Sequence, residues 1–323
     1  MTVPAPDRIV DLAIGYMGAK QLFAASRVGL FRALAEGPRT VAEIAAETGV
    51  SEQMVRILAD AMNAEGLLER VEGRYSLAPD TAEYLGGEND LGPFLTFLNE
   101  ISYGHWLQFD TTVDTTTPGD LKMDEGRWAT FMAGVMRYNA LHAAMLARTF
   151  DFTPYRSMLD LGGLSPEFAV SALRANPALT AHFMFAPMAT QGITEALAAA
   201  GLSERATITP AETETAKPEG AHELIMVNHV VHRFTAEQNR EILRRARAAA
   251  AAGGTLLLLD FFLDDDARQR RIDALHAGEY FVIDGTVVYP EAEVRAWLAG
   301  AGWRVREVLA LPGSPRVLVG DAV

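Results

Sequence analysis

Apolar residues recur at helical spacing through the first part of the chain and gather into short unbroken runs in the second. Ile9, Leu12, Ala13, Tyr16 and Met17 follow the period of one helix, and a second apolar face runs through Leu22, Phe23, Leu30, Phe31 and Leu34. Thr40 stands three residues before Glu43, the spacing of a capping box, so a helix opens there and runs to about Thr48, where Gly49 stops it. Ser51 caps the next helix, whose Met54, Val55, Leu58 and Met62 stripe faces a core. Residues 66–77 read as two short strands about a turn at Glu72-Gly73. Helix, turn, helix, hairpin is a winged-helix pattern.

From Asp90 to Thr149 the pattern is again helical and rich in aromatics, broken at residues 115–119, Thr-Thr-Thr-Pro-Gly. These aromatics suit core and interdomain packing, or the walls of a pocket for a planar apolar ligand. From Arg156 the texture changes. Residues 157–161, 181–185, 206–209, 223–228 and 254–260 are buried-strand runs, with helices through Leu173, from Thr190 to Ala200 and from Ala236 to Ala251. Repeated β-α units predict a parallel sheet covered by helices on both faces, with ligands at the carboxyl ends of its strands. The expected organisation is a helical, winged-helix-like domain over 1–88, a helical pocket-forming segment over 89–150, and an α/β domain over 151–323.

Composition narrows the function classes. The chain has 323 residues, 28 Lys plus Arg against 42 Asp plus Glu, a formal charge of −14 and no cysteine. Disulfides, zinc-thiolate sites, iron–sulfur clusters and a thiol nucleophile are therefore excluded. The acidic balance argues against nucleic acid as a partner, and Glu52, Asp60 and Glu65 would repel a major groove from the second helix of the winged pattern. The longest apolar stretch, 248–259, is too short to span a bilayer and contains Gly253-Gly254. Asp7, Arg8 and Asp11 interrupt the N-terminal region where a signal peptide needs continuous apolar residues, so a soluble, cytoplasmic protein is expected.

The order of elements resembles that of the two-domain, S-adenosylmethionine-dependent small-molecule O-methyltransferases of the caffeic acid and acetylserotonin type. The residues that carry the resemblance are Phe131–Met136 before the α/β domain, the strand and turn 159–163 (Leu-Asp-Leu-Gly-Gly), the second strand between Leu179 and Pro187, Val230-Val231-His232, and Gly253-Gly254 before the run ending at Asp260. It covers nearly the whole chain. It implies a Rossmann-like methyltransferase domain, a homodimer formed through the N-terminal domain, and a small apolar or aromatic substrate.

Residue by residue, the resemblance implies a mixed picture. Asp160, Gly162 and Glu212 match cofactor-binding positions. Leu164 and Pro166 replace glycines of the turn, and Phe185 stands where an acid takes the ribose hydroxyls. Leucine would fill space left open, and proline fixes φ and lacks an N–H. Ribose hydroxyls left without acceptors cost about 1–3 kcal/mol each. At the catalytic end His232 matches the base and Asp260 one flanking acid, whereas the second acid falls at Val287 and Arg233 replaces an acid beside the histidine. A histidine can exchange protons near neutral pH. His105, Phe131, Met136, His276, Tyr280 and Phe281 are candidate substrate-pocket residues.

These departures favour an enzyme that uses no cofactor and performs acid–base chemistry, an isomerase, cyclase or lyase, on a natural-product intermediate. The alternatives are an O-methyltransferase that still uses S-adenosylmethionine in an altered pose, and a non-catalytic ligand-binding or partner subunit. His222, His229 and His232 with Glu223 or Asp260 also suggest a metal site, but an extended stretch over 227–231 would aim the histidines apart, and no metal is expected.

Overall fold

In the computed structural model residues 4–323 are described. The chain forms two compact units, one comprising the chain to Gly104 together with Leu121–Tyr138, the other His105–Asp120 and Asn139–Val323. The division falls inside the long helix Glu125–Thr149.

In the first unit the capping signals act as the sequence requires. Thr40 Oγ1 accepts from the Glu43 N–H at 3.3 Å while Glu43 accepts from the Thr40 N–H at 2.7 Å, opening the helix Val41–Thr48. Gly49 ends it at φ +70°, a left-handed conformation that glycine adopts without strain. Ser51 caps Glu52–Ala64, and the hairpin Leu68–Val71 and Arg74–Leu77 turns at Glu72-Gly73, both at positive φ. A third short strand, Arg39–Thr40, completes this sheet. Phe31, Ile44, Val55, Leu58, Met62 and Tyr75 fill the core. Met54, expected on that buried stripe, instead stands 45% exposed. The helix Asp7–Arg27 also turns Ile9, Leu12, Tyr16 and Met17 away from any core of this chain, each roughly half exposed or more.

The second unit is built on a seven-stranded sheet. Its strands are β1 (Ser157–Leu161), β2 (Thr180–Phe185), β3 (Ala206–Pro210), β4 (His222–Asn228), β5 (Ala250–Asp260), β6 (Trp303–Ala310) and β7 (Arg316–Ala322), in spatial order β3-β2-β1-β4-β5-β7-β6. β1 to β5 are parallel, and their unbroken apolar runs reflect burial on both faces: Leu256 to Leu259 are all fully buried. β6 and β7 form an antiparallel hairpin at one edge, so the sheet is mixed rather than wholly parallel. Strand order reverses at β1, where β2 lies on one side and β4 on the other, which opens a crevice at the carboxyl ends of β1 and β4. Among the described residues no helix is long and apolar enough to cross a membrane.

Candidate active site at the carboxyl ends of the parallel strands

Five titratable side chains converge where β4 and β5 end. β5 stops at Asp260, whose carboxylate is fully buried. Beyond β4 the chain leaves the extended conformation: His229 takes φ +53°, its N–H donates to the Leu259 carbonyl at 2.9 Å, and Val231–Arg233 close a short turn. That turn places His232 Nδ1 at 3.0 Å from both Asp260 oxygens. The Asp260 carboxylate also accepts from the Phe261 N–H at 2.9 Å and the His232 N–H at 3.3 Å. Burial pushes the Asp260 carboxyl up, but His232, His229 and the Phe261 amide outweigh it and hold the group below its ordinary value.

The His229 and His232 rings are 6.1 Å apart, and one ligand atom from each and from Asp260 all lie within 4.8 Å of one another. The expectation that these histidines point apart fails, because the strand ends at Asn228 and the left-handed step at His229 turns its ring back toward His232. His222 does lie elsewhere, at the amino end of β4 beside His182. Behind this pair, His142 Nδ1 is 2.9 Å from His229 Nε2, both buried. His276 donates Nδ1–H to the Ile272 carbonyl at 2.8 Å and stacks on Phe261 at 3.8 Å. Burial lowers His229 to about 3, His276 to about 4 and His142 well below its ordinary value, so all three are neutral near pH 7. Nothing in the residue pattern singles out His142, which sits within a long helical stretch.

The substrate-pocket candidates separate. Tyr280 lies with its ring 4.3 Å from that of His232, and Phe281 is half-buried on the same helix, Arg271–Asp284. His105 is buried in the second unit, and neighbouring Trp106 donates its indole N–H to Glu279 of that helix. Phe131 and Met136 belong to the first unit, where Phe131 packs edge-on against Phe97 at 5.4 Å. Val287, at the missing second acid, donates its N–H to the His232 carbonyl at 3.3 Å.

At the carboxyl ends of β1 and β2 the chemistry is sparse. Gly162 and Gly163 take φ +75° and +89°; a Cβ on Gly162 would meet Thr213 at 2.6 Å, and one on Gly163 the Asn228 carbonyl at 2.8 Å. Both must therefore be glycine. Leu164 is 36% exposed. Pro166 is the N-cap of the helix Glu167–Ala175 at φ −73°, a helix entry that proline favours. Phe185 ends β2 fully buried, 5.9 Å from Phe183. Glu212 is exposed just beyond β3. Asp160 pairs in register with Met226, which puts its side chain on the same sheet face as Asn228, two residues further along β4. Asp160 Oδ2 and both side-chain polar atoms of Asn228 are buried with no partner among the described residues. Burial raises the Asp160 carboxyl well above its ordinary value.

Comparison with known proteins settles the broader assignment. Residues 102–304 match the O-methyltransferase domain and residues 10–86 the O-methyltransferase dimerisation domain. The chain is 30% identical over 248 residues, 74% of its length and 72% of the relative's, to the 3-hydroxy-5-methyl-1-naphthoate 3-O-methyltransferase of Streptomyces sahachiroi. It is 25% identical to the tetracenomycin polyketide synthesis 8-O-methyltransferase TcmO of Streptomyces glaucescens over 98% of this chain and 97% of that one. Among solved structures it is similar to the S-adenosylmethionine-dependent methyltransferase SibL in its apo form, with TM-score 0.85 and 26% identity over 98% and 99% of the two chains. These matches overturn the expectations of a non-methylating isomerase, cyclase or lyase and of an enzyme without a cofactor: the relatives are methyltransferases, and the matched solved structure is of an S-adenosylmethionine-dependent one. With both domain models matched in order along its length, the chain belongs to the O-methyltransferase family.

Proposed function

We propose that the chain methylates a hydroxyl group of a small apolar or aromatic natural-product molecule, using S-adenosylmethionine, as a homodimer joined through its N-terminal unit. The observation that carries the reading is the pair of His232 and buried Asp260 at 3.0 Å, at the carboxyl end of a parallel sheet. With its Nδ1–H donated to Asp260, His232 keeps an Nε2 lone pair for the hydroxyl proton, and Asp260 stabilises the imidazolium that forms. Tyr280 against the His232 ring and Phe261 beneath His276 give the neighbourhood the apolar, planar surfaces an aromatic ring needs. The exposed apolar face of the helix Asp7–Arg27, within the dimerisation segment, is the surface a second copy would cover.

The cofactor's polar amino-acid end fits this chain. Asp160 Oδ2 and the Asn228 amide are buried and unpartnered beside the Gly162-Gly163 turn, and a buried orphan carboxylate calls for a cation such as an ammonium group. The adenosine end is held differently from the family pattern, because Phe185 offers no acceptor for ribose. S-adenosylmethionine, when bound, supplies a methyl group on a sulfonium; removing the hydroxyl proton and orienting the acceptor fall to His232, Asp260 and Tyr280. The test is calorimetry with S-adenosylmethionine and S-adenosylhomocysteine, followed by mass spectrometry of hydroxynaphthoates incubated with the cofactor. Saturable binding and a methylated product are expected. Absence of binding by either compound to folded protein would sink the proposal.

A further inference from the structure

We propose that His229, His232 and Asp260 form a site for one borderline divalent cation of the Zn2+ or Co2+ class. Two imidazoles and one carboxylate present ligand atoms within 4.8 Å of one another. Around a tetrahedral zinc with bonds near 2.1 Å, donor atoms sit about 3.4 Å apart, so side-chain rotations of about an ångström close the set. The donor chemistry selects the ion. Two ring nitrogens disfavour Mg2+ and Ca2+, which prefer oxygen, and with no sulfur donor present the set does not suit soft cations.

The surroundings are those of held ligands. His142 Nδ1 stands 2.9 Å from His229 Nε2, so a His229 that donates Nε2–H has its Nδ1 lone pair free for a cation. Asp260 is fixed by the Phe261 N–H at 2.9 Å. His229 owes its inward aim to a left-handed backbone, φ +53°, uncommon for a residue with a side chain and held by its N–H on the Leu259 carbonyl. Arg233, the nearest cation in sequence, lies over the Phe234 ring at 5.4 Å, and its charge acts on both Asp260 and His229, so a bound cation competes with it for the carboxylate's field. The His232 side chain is 12% exposed, which leaves a path for an ion and an open coordination position. Cation binding is independent of the proposed reaction. Its consequence rests on that reading: a cation shared with Asp260 sits on His232 Nδ1, the nitrogen 3.0 Å from that carboxylate, which moves the ring proton to Nε2 and leaves no lone pair for the hydroxyl proton, so bound Zn2+ inhibits reversibly.

The experiment titrates chelator-treated, full-length protein with Co2+, reads the visible ligand-field bands, and displaces the ion with Zn2+. One Co2+ per chain is expected, with band intensity indicating four or five ligands. His229→Asn keeps a residue that tolerates the left-handed backbone while withdrawing the imidazole, and should abolish the bands. His142→Phe should weaken binding about 10–100-fold, as loss of an outer partner of a ligating histidine does. His222→Gln, outside the site, should bind as the wild type does. Absence of bands at millimolar Co2+, or bands that survive both His229→Asn and Asp260→Asn in folded protein, overturns the proposal.

Discussion

Asp160 and Asp260 are two aspartates near the ends of β1 and β5, the parallel strands on either side of β4, each 1% exposed or less, and their environments treat them in opposite ways. Asp260 has two hydrogen bonds from backbone N–H groups and a histidine at 3.0 Å, and its carboxyl is held below the ordinary range. Asp160 has an oxygen without a partner, Phe183 and Met226 beside it in register, and a carboxyl raised well above the ordinary range. Burial is common to both; the partner decides the sign. One end of the crevice is thus complete within the chain, whereas the other contains buried polar groups with no partner among the described residues.

The sharpest way to break this contrast is to remove its centre. His232→Ala should lower kcat for methyl transfer about 10²–10⁴-fold, the usual contribution of a positioned base. Its stability should fall by about 1–3 kcal/mol, because buried Asp260 loses its histidine partner. A variant that turns over within threefold of wild type takes His232 out of the chemistry. Phe185→Ala should act chiefly on stability. Truncating a fully buried phenylalanine costs about 3–5 kcal/mol, readable as a lower urea midpoint, and a variant as stable as the parent would show that Phe185 lines a ligand space instead of packing a core.

How much of this was legible in the sequence depended on whether a feature was local. The capping box at Thr40, the stop at Gly49, the turn at Glu72-Gly73 and the β4 run are short-range signals, and each appears where the pattern places it; β5 ends at Asp260 as read but begins at Ala250, inside the stretch read as helix. The edge hairpin β6 and β7 went unread because β6 is mostly exposed and alternates weakly, and because both strands, buried β7 included, follow a β-α rhythm that suggested only parallel pairing. Position alone identified His232 with Asp260. The histidine cluster around them was not legible: His142 comes from a helix more than eighty residues away in sequence, and His229 enters through a left-handed backbone step that no residue pattern announces. A motif position says which residue is unusual there, but not the local structure it serves: Pro166 stands at the entry of the helix Glu167–Ala175.

Asp160→Asn gives the smallest effect and the finest test of the contrast. Because its folded carboxyl is raised, the native protein keeps a proton that the unfolded chain releases above about pH 3.9. The stability this group contributes is therefore fully present below that pH and is lost as pH rises toward the folded value. Asparagine has the same shape and no such proton. The Tm of Asp160→Asn minus that of the wild type should be near zero at pH 4 and grow to about 2–4 °C at pH 8, the shift expected of roughly 1 kcal/mol in a chain of this size. The same change should weaken S-adenosylmethionine binding, since it removes the carboxylate that a bound ammonium would meet. A stabilised variant with weakened binding marks Asp160 as a group kept unpaired for its ligand. A Tm difference that does not change with pH would mean that Asp160 is already satisfied within the protein, and the two ends of the crevice would then be alike.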